Sequence, residues 1–425
     1  MTNKKFNPLF NSYLIYVGVA IASGGVALYT PLIVSETGKH FSGFWAASIL
    51  FGLNLGRVVG SYLGSKFPKV ANHPLAVSGN ILLEGVALYC MAFLDHAWAL
   101  AAFALLAGLG SGLSFPGLKN YLLKLRELDQ SSLFSRLAFA IRMGLVSGYL
   151  TASWVPEDSL KVVFLIVLIT FVAYALFMLI AMKAITKNEI AYLSSNVPHL
   201  TQQQHPPLQV TAQSDLIRHP RSSNAGLPVL FYLSNAIFWC FAVQPMIGFS
   251  LHIPKYTPEI PVSTPFWIAA LVIIFFQIPI SKRAVRTYHH FRFLQIGYVC
   301  LFLSFVVMTL FSHSGTAVII SAVLLSFGQV FYGPSLDVLT ARFADKVNAD
   351  TGQLMSRQMI YQSMGNMIGS MAGGLLFDLA QSVHMPALNW LLLAAGSLAM
   401  VIVSKNKIPM LYRNAGNVDL AQRSP

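Results

Sequence analysis

Twelve stretches of this chain are each long and apolar enough to cross a bilayer, and that constrains the fold more than any other feature. A membrane-spanning helix needs about 20 mostly apolar residues. Such runs fall at 11–33, 42–64, 75–95, 97–120, 132–154, 161–182, 227–249, 264–281, 292–312, 315–340, 354–377 and 386–403. Lipid offers no water to the backbone N–H and C=O groups, so each run reads as a helix that satisfies them internally. A transmembrane barrel would instead show segments of about ten alternating residues, which this sequence does not. Composition agrees. Only 10% of the residues are charged and 55% are hydrophobic, whereas soluble chains carry about 25% charge. The expected fold is an all-α membrane protein of twelve transmembrane helices.

The cations orient it. A net charge of +13 would suggest nucleic acid in a soluble protein; between apolar spans it reads as the positive-inside bias. With twelve spans both termini share a side. Of the 28 Lys and Arg, 23 fall on that side, Lys39, Lys161 and Lys255 on the other, and Arg57 and Arg142 inside spans. A wrong span count would scramble this split, so both termini are expected in the cytoplasm. The opening "MTNKKF" leads into an apolar run with no small-residue cleavage site, so the first span is expected to stay. Cys90, Cys240 and Cys300 lie within apolar runs at no disulfide or metal spacing, and no cofactor is expected.

One loop is long and polar, with "SSNVPHLTQQQHPPLQVTAQSD" at its heart. It divides the chain into an N-terminal six-helix half (1–182), a cytoplasmic linker (183–226), a C-terminal six-helix half (227–404) and a cytoplasmic tail (405–425). The halves are related. "LFSRLAFAIRMGLVSGYL" (133–150) aligns with "LMSRQMIYQSMGNMIGSM" (354–371), pairing Arg136 with Arg357, Gly144 with Gly365 and Gly148 with Gly369. Upstream, "GSGLSFPG" (110–117) aligns with "GQVFYGPS" (328–335), Gly and Pro six apart in both. Two parallel six-helix repeats are a transporter layout.

On these residues the chain resembles the major facilitator superfamily, and within it the drug:H+ antiporter group, MdtH-type exporters in particular. The carrying stretch is "SFGQVFYGPSLDVLTARFAD" followed by "MSRQMIYQSMGNMIGSMAGGLLFDLAQSVHMPALNW". The loop after span 2 reads "SYLGSKFPK", keeping the basic Lys66 but with Ser65 where the family has an acid. The resemblance implies proton-driven export of small organic molecules such as drugs by alternating access.

The charged residues inside spans carry the rest. Arg136 and Arg357 are duplicated and shallow, so their side chains can snorkel; with Lys66 and Lys119 they read as gate or structural cations. Lys119 is the repeat mate of Asp337, which suggests a salt bridge across the halves. Arg142 differs. It lies about 9 Å deeper than Arg136, and its repeat mate is Ser363. A guanidinium in hydrocarbon costs at least about 2.5–3.5 kcal/mol, so Arg142 needs an anion, either a protein carboxylate such as Glu84 or a group on the substrate. Glu84 and Asp337 are the intramembrane acids, candidate proton carriers, with roles as a structural partner of Arg57 or Arg142 (Glu84) and as a helix-end acid (Asp337) also open. The substrate-binding candidates are Arg142, Arg57, Asn54, Tyr29, Asn235, Gln244, Gln329, Tyr332 and Gln362, with Trp239 and Asn366 on the same helices. Histidines fall nearly all in loops, so no histidine proton relay is expected.

There is no P-loop, H-E-x-x-H or Gly-x-Ser-x-Gly turn, so the chain reads as no enzyme. It reads as a monomeric, multi-pass secondary transporter of the bacterial inner membrane, whose partners are a small-molecule substrate, protons and the bilayer, with no nucleic acid. Its intramembrane arginines point away from a generic drug and toward a carboxylate siderophore or other organic anion, exported or imported. A receptor built on a transporter-like fold is the reading from another class.

Overall fold

The computed structural model describes residues 8–67, 73–125, 130–155, 159–196, 229–286, 290–347 and 351–421. The described residues form helices and no strands. In chain order these are α1 (Pro8–His40), α2 (Gly43–Lys66), α3 (Pro74–Met91), α4 (Ala97–Leu123), α5 (Gln130–Ala152), α6 (Leu160–Asn196), α7 (Val229–Ala242), α8 (Gln244–Tyr256), α9 (Thr264–Arg286), α10 (His290–Leu310), α11 (Gly315–Val347), α12 (Thr351–Ser382) and α13 (Leu388–Ala421). Helices α7 and α8 make a single apolar crossing, Phe231–Tyr256, broken at Val243. Pro245 follows the break and has no N–H to donate. Beside it the Gln244 side-chain amide donates to the Cys240 carbonyl at 2.9 Å. The expected twelve crossings are therefore present.

Nine crossings among the described residues, with α7 and α8 counted as one, are long and apolar enough to span on those grounds alone. The polar α5 and α12 are not among them. They are repeat mates, and each is shielded by the first helix of its own half. A Cβ on Gly144 would lie 2.1 Å from the Ala20 carbonyl oxygen, and one on Gly148 2.1 Å from that of Gly24. In the other half a Cβ on Gly365 would lie 2.1 Å from the Ala236 oxygen, and one on Gly369 2.4 Å from that of Cys240. Glycine alone permits this approach, and it does so at matched positions, so the pseudo-twofold read from the sequence is a packing fact. The matched contacts also equate α1 with α7, Ala20 standing to Ala236 as Gly24 to Cys240.

The halves are filled differently. In the C-terminal half Phe238 stacks on Tyr332, ring centroids 3.6 Å apart, and Tyr298 meets both edge-on at 5.3 and 5.5 Å. Trp390, fully buried, lies against Phe249 and Phe305. The core of the N-terminal half is largely aliphatic and alanine-rich, with Phe164 beside Tyr29 at 5.7 Å.

The end of the bundle opposite the termini, the far end, holds the hydrogen bonds described between the halves. The Asp378 carboxylate on α12 accepts from the Gly43 and Phe44 backbone N–H groups at 2.7 and 2.8 Å. It thereby caps α2, whose first turn has no acid of its own. A Cβ on Gly374 would lie 2.2 Å from the Gly43 oxygen, so α2 and α12 touch backbone to backbone there. The Ser153 and Ser263 hydroxyls meet at 2.7 Å where α5 ends and α9 begins.

Helix α6 runs on to Asn196, into the segment read as linker, and α13 runs on to Ala421, through most of the segment read as tail. Both continue as helix because their backbones bond internally with or without lipid. Residues 197–228, the rest of the linker reading, lie outside the described residues.

Candidate functional site

Two cavities meet at Arg57, Val26 and Leu145. The central one, about 300 Å³, lies between the halves. Its N-terminal wall presents Thr30, Asn54, Arg57, Arg142 and Tyr149; its C-terminal wall presents Trp239, Phe266, Ser326, Gln329 and Asn366. The inner one, about 450 Å³, lies within the N-terminal half and is lined by Ala22, Arg57, Ser61, Glu84, Ser111, Ser114 and Tyr174, with Met359 and Ser363 of α12 at its edge. Arg57, Val26 and Leu145 belong to both.

Helical geometry explains how α5 delivers Arg142. Positions 142, 145 and 149 share one face of a helix, and all three line the central cavity. Gly144 and Gly148 turn to a different face, against α1. The sequence thus turns its smallest residues to the neighbour and its longest cation to the cavity. Among the described residues neither Arg142 nor Arg57 has a carboxylate within 4 Å. No acid lines the central cavity. Its electrostatics are therefore those of two guanidiniums, each a fork of N–H donors, facing a wall otherwise apolar, aromatic and amide. Arg142 and Glu84 border different cavities and make no ion pair.

Glu84, 5% exposed, stands on the inner cavity. Asp337 stands elsewhere. It accepts from the Gln358 amide at 2.6 Å, and Gln358 in turn accepts from the Thr340 hydroxyl at 2.8 Å, a network that ties α11 to α12. Lys119 lies 4.8 Å over the Phe115 ring and makes no salt bridge with Asp337: the halves meet at the far end, and both residues lie toward the other. Arg136 and Arg357 are exposed, as is Lys66, whose ammonium lies over the Phe67 ring.

Of the remaining sequence candidates, Asn54 and Gln329 line the central cavity. Tyr29 and Tyr332 are buried in aromatic packing. Asn235 donates to the Gln358 carbonyl at 3.0 Å, and Gln244 to that of Gly369 at 2.8 Å; both bind the α7–α8 crossing to α12. Gln362 is half-buried on α12, off both cavity walls. Sequence reading missed Tyr149, Phe266, Tyr174 and the serines of the inner wall, because an aromatic or small residue in a span gives no sign of whether it faces lipid, protein or a cavity. It also missed His252, fully buried in α8. Its Nε2 lies 2.5 Å from the Ser312 carbonyl, which can only accept, and its Nδ1 accepts from the Trp390 indole at 3.4 Å. That fixes the ring's tautomer.

A cavity at the junction of two six-helix repeats suits a transporter, and comparison with known proteins decides the family. Residues 12–356 match the model of the Major Facilitator Superfamily. The chain belongs to this superfamily. The transporter is 25% identical over 363 residues to the "Multidrug resistance protein MdtH" of Shigella boydii serotype 4 (strain Sb227), with 82% of each chain covered. It is likewise 25% identical over 364 residues to MdtH of Escherichia coli O157:H7, again 82% of each. Its fold matches a POT family transporter solved in complex with 5-aminolevulinic acid (TM-score 0.70, 14% identity, 94% of this chain and 96% of that one). It also matches the nucleoside transporter NupG (TM-score 0.66, 14% identity, 93% and 99%). The resemblance to MdtH-type exporters thus stands, and the transporter is a multi-pass membrane protein of a family that carries small molecules.

Proposed function

We propose that this transporter exports small organic molecules that carry an anionic group, exchanging them for protons across the bacterial inner membrane. The observation that carries this reading is the pair of guanidiniums, Arg57 and Arg142, neither with a carboxylate within 4 Å among the described residues, on a central cavity with no carboxylate of its own. A buried charge without a partner is costly, and for Arg142, which shares its cavity with no carboxylate, the missing partner is the substrate. A carboxylate fits the two-pronged guanidinium fork. The name of the MdtH relatives supports export.

Proton coupling falls to Glu84, which borders the cavity system, with Asp337 in second place. The far-end seam at Asp378 supports a state closed there and open toward the termini, which the cation bias puts in the cytoplasm. Alternating access then means parting α2 from α12. The transporter works as a monomer, with its two halves at 1–182 and 227–404 and no nucleic-acid partner.

The test is purified protein in proteoliposomes, with benzoate-type aromatic acids as probes and a proton gradient imposed or collapsed. Arg142→Lys keeps the charge and loses the fork, and should weaken binding about tenfold. Arg142→Ala should cost about 30-fold or more, the range for truncating one partner of a buried charge pair. Unchanged affinity in both variants, with transport indifferent to the gradient, overturns the proposal.

A further inference from the structure

The inner cavity has an origin that can be traced. The glycine contacts place Ala22 of α1 at the position of Phe238 of α7, and the repeat alignment places Ser114 of α4 at the position of Tyr332 of α11. In the C-terminal half those two rings stack and fill the space. In the N-terminal half the same two positions hold a methyl and a hydroxymethyl, and about 450 Å³ stands open.

The space is lined by the Glu84 acid and by hydroxyls, with the Arg57 guanidinium where it meets the central cavity. The Ser61 hydroxyl donates to the Gly112 carbonyl at 3.3 Å, and the Ser114 hydroxyl to that of Ser111 at 3.2 Å. With their protons spent on backbone, both oxygens can only accept from anything in the cavity. Glu84, 5% exposed, with no cation within 4 Å among the described residues and Arg57 attracting it from across the same cavity, adds a carboxylate to the lining. Of the two cavities only the inner one holds a carboxylate, Glu84, with two acceptor hydroxyls near it; Arg142 lines only the central one, and Arg57 lines both.

We propose that the inner cavity is a second subsite, and that it takes the ammonium or amine end of a zwitterionic substrate whose anionic end rests on Arg142 and Arg57. This rests on the anion site proposed above and narrows it. A simple anion satisfies only the smaller cavity and leaves the larger one, with its buried acid, unanswered. A molecule with charges of both signs a few bonds apart answers both, and the valine, leucine and aromatic side chains around them hold the apolar body between.

Three matched probes test this on the purified full-length transporter by isothermal titration: 4-(aminomethyl)benzoate with both charges, 4-methylbenzoate with the anion alone, and benzylamine with the cation alone. The wild-type protein should bind the zwitterion about tenfold or more tighter than either single-charge probe, the worth of one charge-assisted hydrogen bond. In Glu84→Gln that preference over 4-methylbenzoate should collapse toward one. In Ala22→Phe, which copies the filled half, it should collapse in the same way, with folding checked by melting temperature. Equal wild-type affinity for the zwitterion and 4-methylbenzoate overturns the second subsite, whatever the variants do. Binding of 4-methylbenzoate that ignores Arg142→Ala overturns the anion site beneath it, so the two failures are told apart.

Discussion

The two halves share a backbone plan and differ in what they enclose. Both press a pair of glycines from α5 or α12 onto the first helix of the half, and both carry an exposed arginine, Arg136 or Arg357, near the terminal end. Yet the N-terminal half holds Arg57, Arg142 and Glu84 around open space, while the C-terminal half closes the equivalent space with Phe238, Tyr298 and Tyr332. The contrast shows that a repeat fixes where helices go and leaves the lumen of each half free to diverge. One half can serve as chemical surface and the other as a rigid counter-wall.

The largest expected effect comes from emptying the filled half. Phe238→Ala should lower stability by about 3–5 kcal/mol, as for other large-to-small core changes, measured by thermal unfolding in detergent. A near-neutral result would mean that the aromatic stack is not a packed wall and that the contrast between halves is superficial. Next is moving the charge. Arg142→Ser combined with Ser363→Arg exchanges repeat mates, and should leave probe affinity at the Arg142→Ala level, about 30-fold or more below wild type. Recovery would show that either half can host the anion. The glycine seams should instead behave alike. Gly144→Ala and Gly365→Ala each force a methyl onto a backbone carbonyl and should cost about 1–3 kcal/mol apiece; a strong inequality in melting temperature would break the symmetry at its firmest point. The smallest effect is at the far end. Asp378→Asn removes the charge that caps α2, worth about 0.3–2 kcal/mol. It should raise the labelling of a cysteine introduced at Gln329 from the side opposite the termini, and labelling at the wild-type rate would show that the seam holds through its backbone contact alone.

Much of this was legible in the chain. Apolar runs gave the crossings because in lipid only the helix satisfies a backbone by itself. The spacing of Gly144 with Gly148 and Gly365 with Gly369 gave the repeat. The depth and singularity of Arg142 marked it as a cavity cation, and its place beside Asn54 and Gln329 bears on that directly. Tyr29, Asn235, Gln244 and Tyr332 share the same residue types and spend them on packing and helix-to-helix bonds. Which way a polar side chain turns depends on helix rotation, and rotation is set by neighbours far away in sequence.

What the sequence determined by itself is therefore the architecture: twelve helices, two related halves, and a few charges that hydrocarbon would not tolerate unanswered. What only the tertiary structure decided is how those charges are distributed over space. That Arg142 and Glu84 border different cavities, that Arg57 belongs to both, and that Ala22 and Ser114 leave open what Phe238 and Tyr332 close, all follow from side chains on separate helices meeting across the bundle. Periodicity reports the face of one helix. A cavity is bounded by several at once, and its shape and charge exist only after they have packed.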